Sequence, residues 1–131
     1  MAKRKSTQVI HSQPTTYRFG FRGDDIDAAA KLIRPLLKIR WKRLDDPFWG
    51  GVHYLQMRKN GIIIKLHHNY EAHFDHWLQP GYRDYPLLLM MQYPPGIAAP
   101  DEAALFAQFS DVIETVIIPP NTDIWDNTVV V

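Results

Sequence analysis

Four histidines, His67, His68, His73 and His76, fall within ten residues, with Glu71 and Asp75 among them. Neutral imidazole and carboxylate oxygen are sound ligands for zinc or nickel. His73 and His76 are spaced i, i+3, and a histidine from the preceding strand could supply a third nitrogen. The spacing matches no strong metal signature, and on a strand His67 and His68 point to opposite faces. The other reading of the segment is a polar, aromatic loop that exposes its histidines. No metal is assigned on this pattern; His73 and His76 come nearest to a site. His76 with Asp75 or Glu71 has the chemistry of an acid–base pair. No nucleophile or phosphate-cradling glycine loop accompanies it, and the chain has no cysteine, so the sequence reads as a non-enzyme with no catalytic residue and no cofactor.

A second cluster is Arg34, Lys38, Arg40, Lys42 and Arg43 with Trp41 inside the run. Charge for phosphate and a ring for stacking are what a nucleic-acid strand needs. No helix-turn-helix, RNA-recognition or zinc-finger pattern goes with it, and a solvated helix end plus a charged edge strand explains the run equally. The third cluster is aromatic and acidic. Phe48, Trp49, Tyr70, Phe74, Trp77, Tyr82 and Tyr85 lie in two loop segments, with Asp45, Asp46, Glu71, Asp75 and Asp84 among them. Tyr and Trp are preferred anchors of protein interfaces, and loop carboxylates steer a basic partner. Some of these rings are also needed to finish a core beneath long loops.

The elements that must position these groups follow from periodicity. Tyr17, Phe19 and Phe21 alternate with Arg18, Gly20 and Arg22, as on a half-buried strand. Asp24 or Asp25 then caps a helix in which Ile26, Ala29, Ala30, Ile33, Leu36 and Leu37 share a face. Pro35 predicts a kink, or an end near Arg34. A strand begins at Ile39, residues 45–51 form a turn-rich loop, and residues 52–59 and 62–70 pair through a type I′ turn at Asn60-Gly61. Residues 71–85 read as a long loop, 86–93 as a buried strand. A second helix, capped by Asp101, carries Ala104, Leu105, Phe109, Val112, Ile113 and Val116 as its apolar stripe up to Pro119-Pro120. The expected fold is α+β: an antiparallel sheet of about four to five strands around the Asn-Gly hairpin, covered by two helices. Residues 1–14 are expected to be a flexible basic arm, 15–120 a single domain and 121–131 a tail ending in three valines.

One domain is what 131 residues of 46% hydrophobic and 22% charged composition support. No apolar run reaches the ~18 residues of a membrane span and no apolar segment follows the basic start, so the cytoplasm is the expected compartment. The net charge of +1 conceals a split. Through Leu44 there are eleven Lys and Arg against three Asp and Glu; from Asp45 there are four against eleven. Such a split can put opposite potentials on two faces and suggests charged partners; the other reading is two solvated faces that happen to differ.

Arg40-Trp41, then residues 48–55 (Phe-Trp-Gly-Gly-Val-His-Tyr-Leu), Asn69, and residues 85–89 (Tyr-Pro-Leu-Leu-Leu) before a helix without basic residues form a series. Over about 80 residues it resembles the small immunity proteins of bacterial polymorphic-toxin and contact-dependent growth inhibition systems. The resemblance implies an antitoxin-like protein that catalyses nothing. It would bind a cognate toxin in the producing cell and block it, and a basic nuclease domain is the toxin class its acidic surface suits. The aromatic-acidic segments offer Asp45, Asp46, Trp49, Glu71, Asp75, Trp77, Tyr82 and Asp84 as the partner-binding residues, with the acidic second helix (Asp111, Glu114) as the alternative face. The loop after Asn69 is richer in His and Trp than that family's pattern, and the first strand and the tail are additional. The alternatives are a nucleic-acid-binding module using residues 34–43 and a His-based metal-dependent enzyme.

Overall fold

The alternating rings near the N-terminus form strand β1 (Thr15–Phe21), whose Phe19 and Phe21 are completely buried. Both meet Phe109 edge to face, with ring centroids 5.0 and 5.7 Å apart. The computed structural model describes residues 13–46 and 51–120. The proposed arm, Phe48 and Trp49, and the tail 121–131 lie outside the described residues, apart from Gln13 and Pro14 at the end of the arm.

Helix α1 (Ile26–Leu37) starts where Asp25 accepts a hydrogen bond from the Ala28 N–H at 3.1 Å, and buries Ile26, Ala29, Ala30 and Ile33. Pro35 does not end it at Arg34. Proline sits in the last turn, where little helix remains to be disrupted, and the chain runs on to Leu37. Lys38 then takes a left-handed conformation (φ 53°) and returns its N–H to the Arg34 carbonyl.

Six strands form the main sheet in the order β2 (Lys42–Asp46), β3 (Gly51–Met57), β4 (Ile63–His68), β7 (Leu87–Tyr93), β1, β8 (Thr115–Ile118). Every pairing is antiparallel. Two further short strands, β5 (Tyr70–Glu71) and β6 (His76–Trp77), form a separate hairpin. Helix α2 (Glu102–Ser110) is capped by Asp101, whose carboxylate accepts the Ala104 N–H at 3.1 Å. The architecture is α+β, as the patterning implied, but β2 begins at Lys42 instead of Ile39 and takes in Asp45 and Asp46, and three further departures follow.

The β3–β4 turn is not a two-residue I′ turn. Arg58 pairs with Ile62 across a three-residue loop, the Gly61 N–H returns to the Arg58 carbonyl at 2.9 Å, and of the loop residues only Gly61 has positive φ (94°). That is a type I turn with a glycine bulge. The second apolar stripe belongs to two elements: Leu105 and Phe109 are buried on α2, whereas Val116 lies on β8, which closes the sheet beside β1. Residues 71–85 are not loop throughout, because Tyr70 and Glu71 pair with Trp77 and His76, and a 3₁₀ turn spans Pro80–Tyr82.

Both helices contribute to one core, joined by Phe19, Phe21, Ile64, Leu66, Leu87, Leu89 and Met91 from the sheet. On the opposite face a smaller cluster, Leu78, Leu88 and Ile118 with Tyr82 and Val116, is closed by the segment that follows β4. Gly20 of β1 is required there: a Cβ would lie 3.0 Å from the Tyr85 Cβ and 3.1 Å from Val116.

Candidate functional site

The strand directions place Asp45 and Asp46 at the same end as the aromatic-acidic segment that follows β4. β2 ends and β3 begins at the Asp46–Gly51 pair, and β4 ends at His68, opposite Leu87 at the start of β7. Asp45, Asp46 and Gly51 therefore stand at the same end of the sheet as residues 69–86. Asp24 and Asp25 before α1, Asp111 after α2 and Glu114 before β8 emerge there too. The other end carries Lys38, Arg40, Lys42, Arg58 and Lys59, with the α2 cap, Asp101 and Glu102, as its acidic groups. Among the described residues the two ends of the sheet thus differ in charge, carboxylates outnumbering Arg22 and Arg83 at one and cations outnumbering Asp101 and Glu102 at the other.

Asn69 organises the acidic end. Its side chain is wholly buried. Its amide N–H groups donate to the carbonyls of Gln79 (3.3 Å), Tyr82 (3.0 Å) and Tyr85 (3.2 Å), and its side-chain oxygen accepts the Gln79 N–H at 2.8 Å. Its backbone N–H donates to Pro86 (2.7 Å) and its carbonyl accepts from Leu78 (2.8 Å). One residue thereby ties the ends of residues 69–86 to each other and to β7. Arg22 adds an outer tie, lying 3.6 Å from the Asp84 carboxylate and 3.4 Å from that of Glu114, with its guanidinium 5.4 Å from the centre of the Tyr85 ring.

From this base projects the β5–β6 hairpin. Glu71, expected at the binding surface, is buried; its carboxylate accepts the Phe74 N–H at 3.0 Å and holds the turn, so its role is internal. Asp75 adopts a left-handed conformation (φ 52°) and accepts the Tyr70 hydroxyl proton, which raises the Tyr70 pKa. Trp77 meets Tyr70 edge to face at 5.3 Å, with the Arg83 guanidinium 5.9 Å from the Trp77 ring centre. The result exposes Phe74, half of whose surface (51%) faces solvent at the tip between His73 and His76.

Of the residues proposed for partner binding, Asp45, Asp75 and Asp84 are exposed, Asp46 and Trp77 are half-buried, and all five belong to this end. Asp45 and Asp46 are part of β2, paired with Val52 and Gly51, rather than of a loop. Tyr82 packs inward on Leu78, Leu88 and Ile118. Trp49 lies outside the described residues. Phe74 was missing from that set; burial at a hairpin tip has no periodicity from which a sequence could give it.

The histidines divide. His73 and His76 stand on the hairpin, His67 and His68 on opposite faces of β4, and no group of three or more His, Asp or Glu among the described residues is placed to hold a metal ion. His67 is fully enclosed. Burial, reinforced by nearby Lys65 and His53, pushes its pKa down to about 3, while its Nδ1–H donates to the His68 carbonyl at 3.1 Å. His53 is also buried and its ring nitrogen lies 3.2 Å from the Gly51 carbonyl.

The basic run divides too. Arg43 turns to the helix face and bonds Asp27 of α1 at 3.1 Å, whereas Lys42 lies on the opposite face, in the row with Leu55 and Lys65. Trp41 packs against the core, and its indole N–H donates to the Ala30 carbonyl at 3.0 Å. The run therefore does not present one continuous strip of charge around an exposed ring. No described helix is long and apolar enough to cross a membrane. Comparison with protein-family models, curated proteins and solved structures finds no match to this chain.

Proposed function

We propose that this protein is an inhibitor of the immunity-protein type, which occludes a basic toxin domain, best a nuclease, with the acidic and aromatic end of its sheet. The observation that carries the reading is the convergence of residues 45–46 and the Asn69-braced segment 69–86 at one end. Asp45, Asp46, Asp75 and Asp84 there carry charge, and Phe74 and Trp77 carry apolar area.

Carboxylates on a pre-shaped surface suit a site built to hold phosphates, and they accelerate encounter with it. Exposed rings held in one conformation lose little entropy on binding, which is the character of interface anchors. The resemblance of the roughly 80 residues from Arg40 through the second helix to immunity proteins points to the same class of partner.

The test is inhibition of the toxin encoded directly beside this chain's gene. The toxin domain is titrated with the purified protein, and complex formation is followed by calorimetry. The reading expects a stoichiometric complex that abolishes toxin activity. A neighbouring toxin that stays active and unbound at equimolar protein contradicts it.

A further inference from the structure

At the junction of α1 with β2 and β3 there is an open groove of ≈ 490 Å³ lined by Asp27, Ala30, Lys31, Arg34, Pro35, Trp41 and Tyr54. Its size is within the range of about 300–1,000 Å³ usual for small-molecule sites. It lies on the helix-covered side of the sheet, running from Asp27 in the first turn of α1 to Trp41 before β2.

Its walls are fixed by bonds that leave two cations over. The Trp41 indole N–H is committed to the Ala30 carbonyl, and its ring meets Tyr54 edge to face at 5.8 Å. Asp27 accepts from both the Tyr54 hydroxyl and Arg43, and these two donors, Arg43 first, hold its carboxyl below the usual carboxylate range. Asp27 is the residue four before Lys31 and would be its natural ion-pair partner on the helix. Arg43 and Tyr54 have taken it. Lys31 and Arg34, one turn apart on the groove's lip, are both exposed and form no ion pair among the described residues. Two like charges one turn apart repel, and an anion between them relieves that repulsion.

We propose that this groove binds a small aromatic anion of the mononucleotide kind, its ring against Trp41 and Tyr54 and its phosphate between Lys31 and Arg34. Aromatic faces accept any base, and the two cations supply charge-assisted bonds to phosphate oxygens. The inference does not depend on the toxin reading.

The probes are adenosine monophosphate, adenosine, inorganic phosphate and a 5′-phosphorylated single-stranded oligonucleotide, titrated against the full chain at physiological salt. The readout is the NMR signal of the Trp41 indole N–H, assigned with Trp41→Phe. Adenosine monophosphate should shift it saturably with a Kd below about 1 mM, whereas adenosine and phosphate separately should bind at least about tenfold more weakly. Lys31→Ala with Arg34→Ala, both at exposed positions, should weaken the nucleotide at least about tenfold while leaving the spectrum otherwise folded. Tighter binding of the oligonucleotide than of the mononucleotide would assign the natural ligand to a strand end, and the reverse to a free nucleotide. No saturable shift with either phosphate ester, equal affinity for adenosine, or a double variant that binds as wild type would overturn the proposal.

Discussion

Asn69 concentrates more of the architecture than any other single side chain. It satisfies three carbonyls and one N–H in a site closed to water, and removing one partner leaves buried groups without compensation. Asn69→Ala should destabilise the fold by about 3 kcal/mol, read as a shift in urea midpoint with little change in slope. Asn69→Asp should do comparable harm, because a carboxylate cannot donate to the three carbonyls. His67 supplies the pH dependence. Its pKa is depressed to about 3 by burial, so the folded state keeps the ring neutral where the unfolded chain, near 6.5, already takes up a proton. Stability from this group is therefore complete above about pH 6.5 and declines as the pH falls towards 3. Stability measured from pH 7 to pH 4 should fall less steeply in His67→Gln than in wild type; an unchanged slope would place the titration elsewhere. Neither role was legible beforehand. His67 is one of four clustered histidines in the sequence, and only the fold separates the enclosed ring from the half-buried His68 and His76 and the exposed His73.

The elements themselves were mostly legible, and the failures have a common cause. β1, α1, β3, β4, β7 and the two aspartate caps follow from period and capping chemistry, which are local. The errors fell where a tertiary contact outvoted the local signal. Val116 continues a helical stripe in sequence, yet pairing with β1 takes it as strand β8. Asn60-Gly61 prefers a I′ turn, yet the β3–β4 register takes a glycine bulge. Asp45 and Asp46 are polar and precede proline, yet β3 gives them partners. The bulge carries a prediction. Gly61→Ala forces a side chain into positive φ and brings its Cβ to 3.1 Å from the Pro94 Cγ, so it should cost about 1–2 kcal/mol in a thermal or chemical melt. A loss under half of that would mean the turn relaxes freely and does not set the register. Among the binding candidates the topology gathered Asp45, Asp46, Asp75, Trp77 and Asp84 and withdrew Glu71 and Tyr82 into the scaffold. Sequence spacing placed all of them in neighbouring segments; only burial tells a bracing carboxylate from an exposed one.

At the scale of the molecule, strand direction gathers charges from both halves of the chain into two ends of opposite net sign among the described residues. The acidic end is rigid at its base through Asn69 and Arg22 and carries an exposed phenylalanine at its tip. Under the proposed function, this end should associate quickly with a basic partner at low salt and lose association rate, more than residence time, as salt rises. Phe74→Ser should act in the opposite manner, shortening the lifetime of the complex and weakening it by tenfold or more, about 1.4 kcal/mol, with the fold intact. The most direct test of the central claim is the affinity of the neighbouring toxin for Asp45→Lys with Asp46→Lys, compared with Arg58→Glu with Lys59→Glu at the opposite end. Circular dichroism and a thermal midpoint would check that each variant folds. The account predicts that reversal at the acidic end weakens binding at least about tenfold while reversal at the basic end leaves it close to wild type. Full affinity in the first variant and lost affinity in the second would place the partner at the wrong end of the sheet and contradict it.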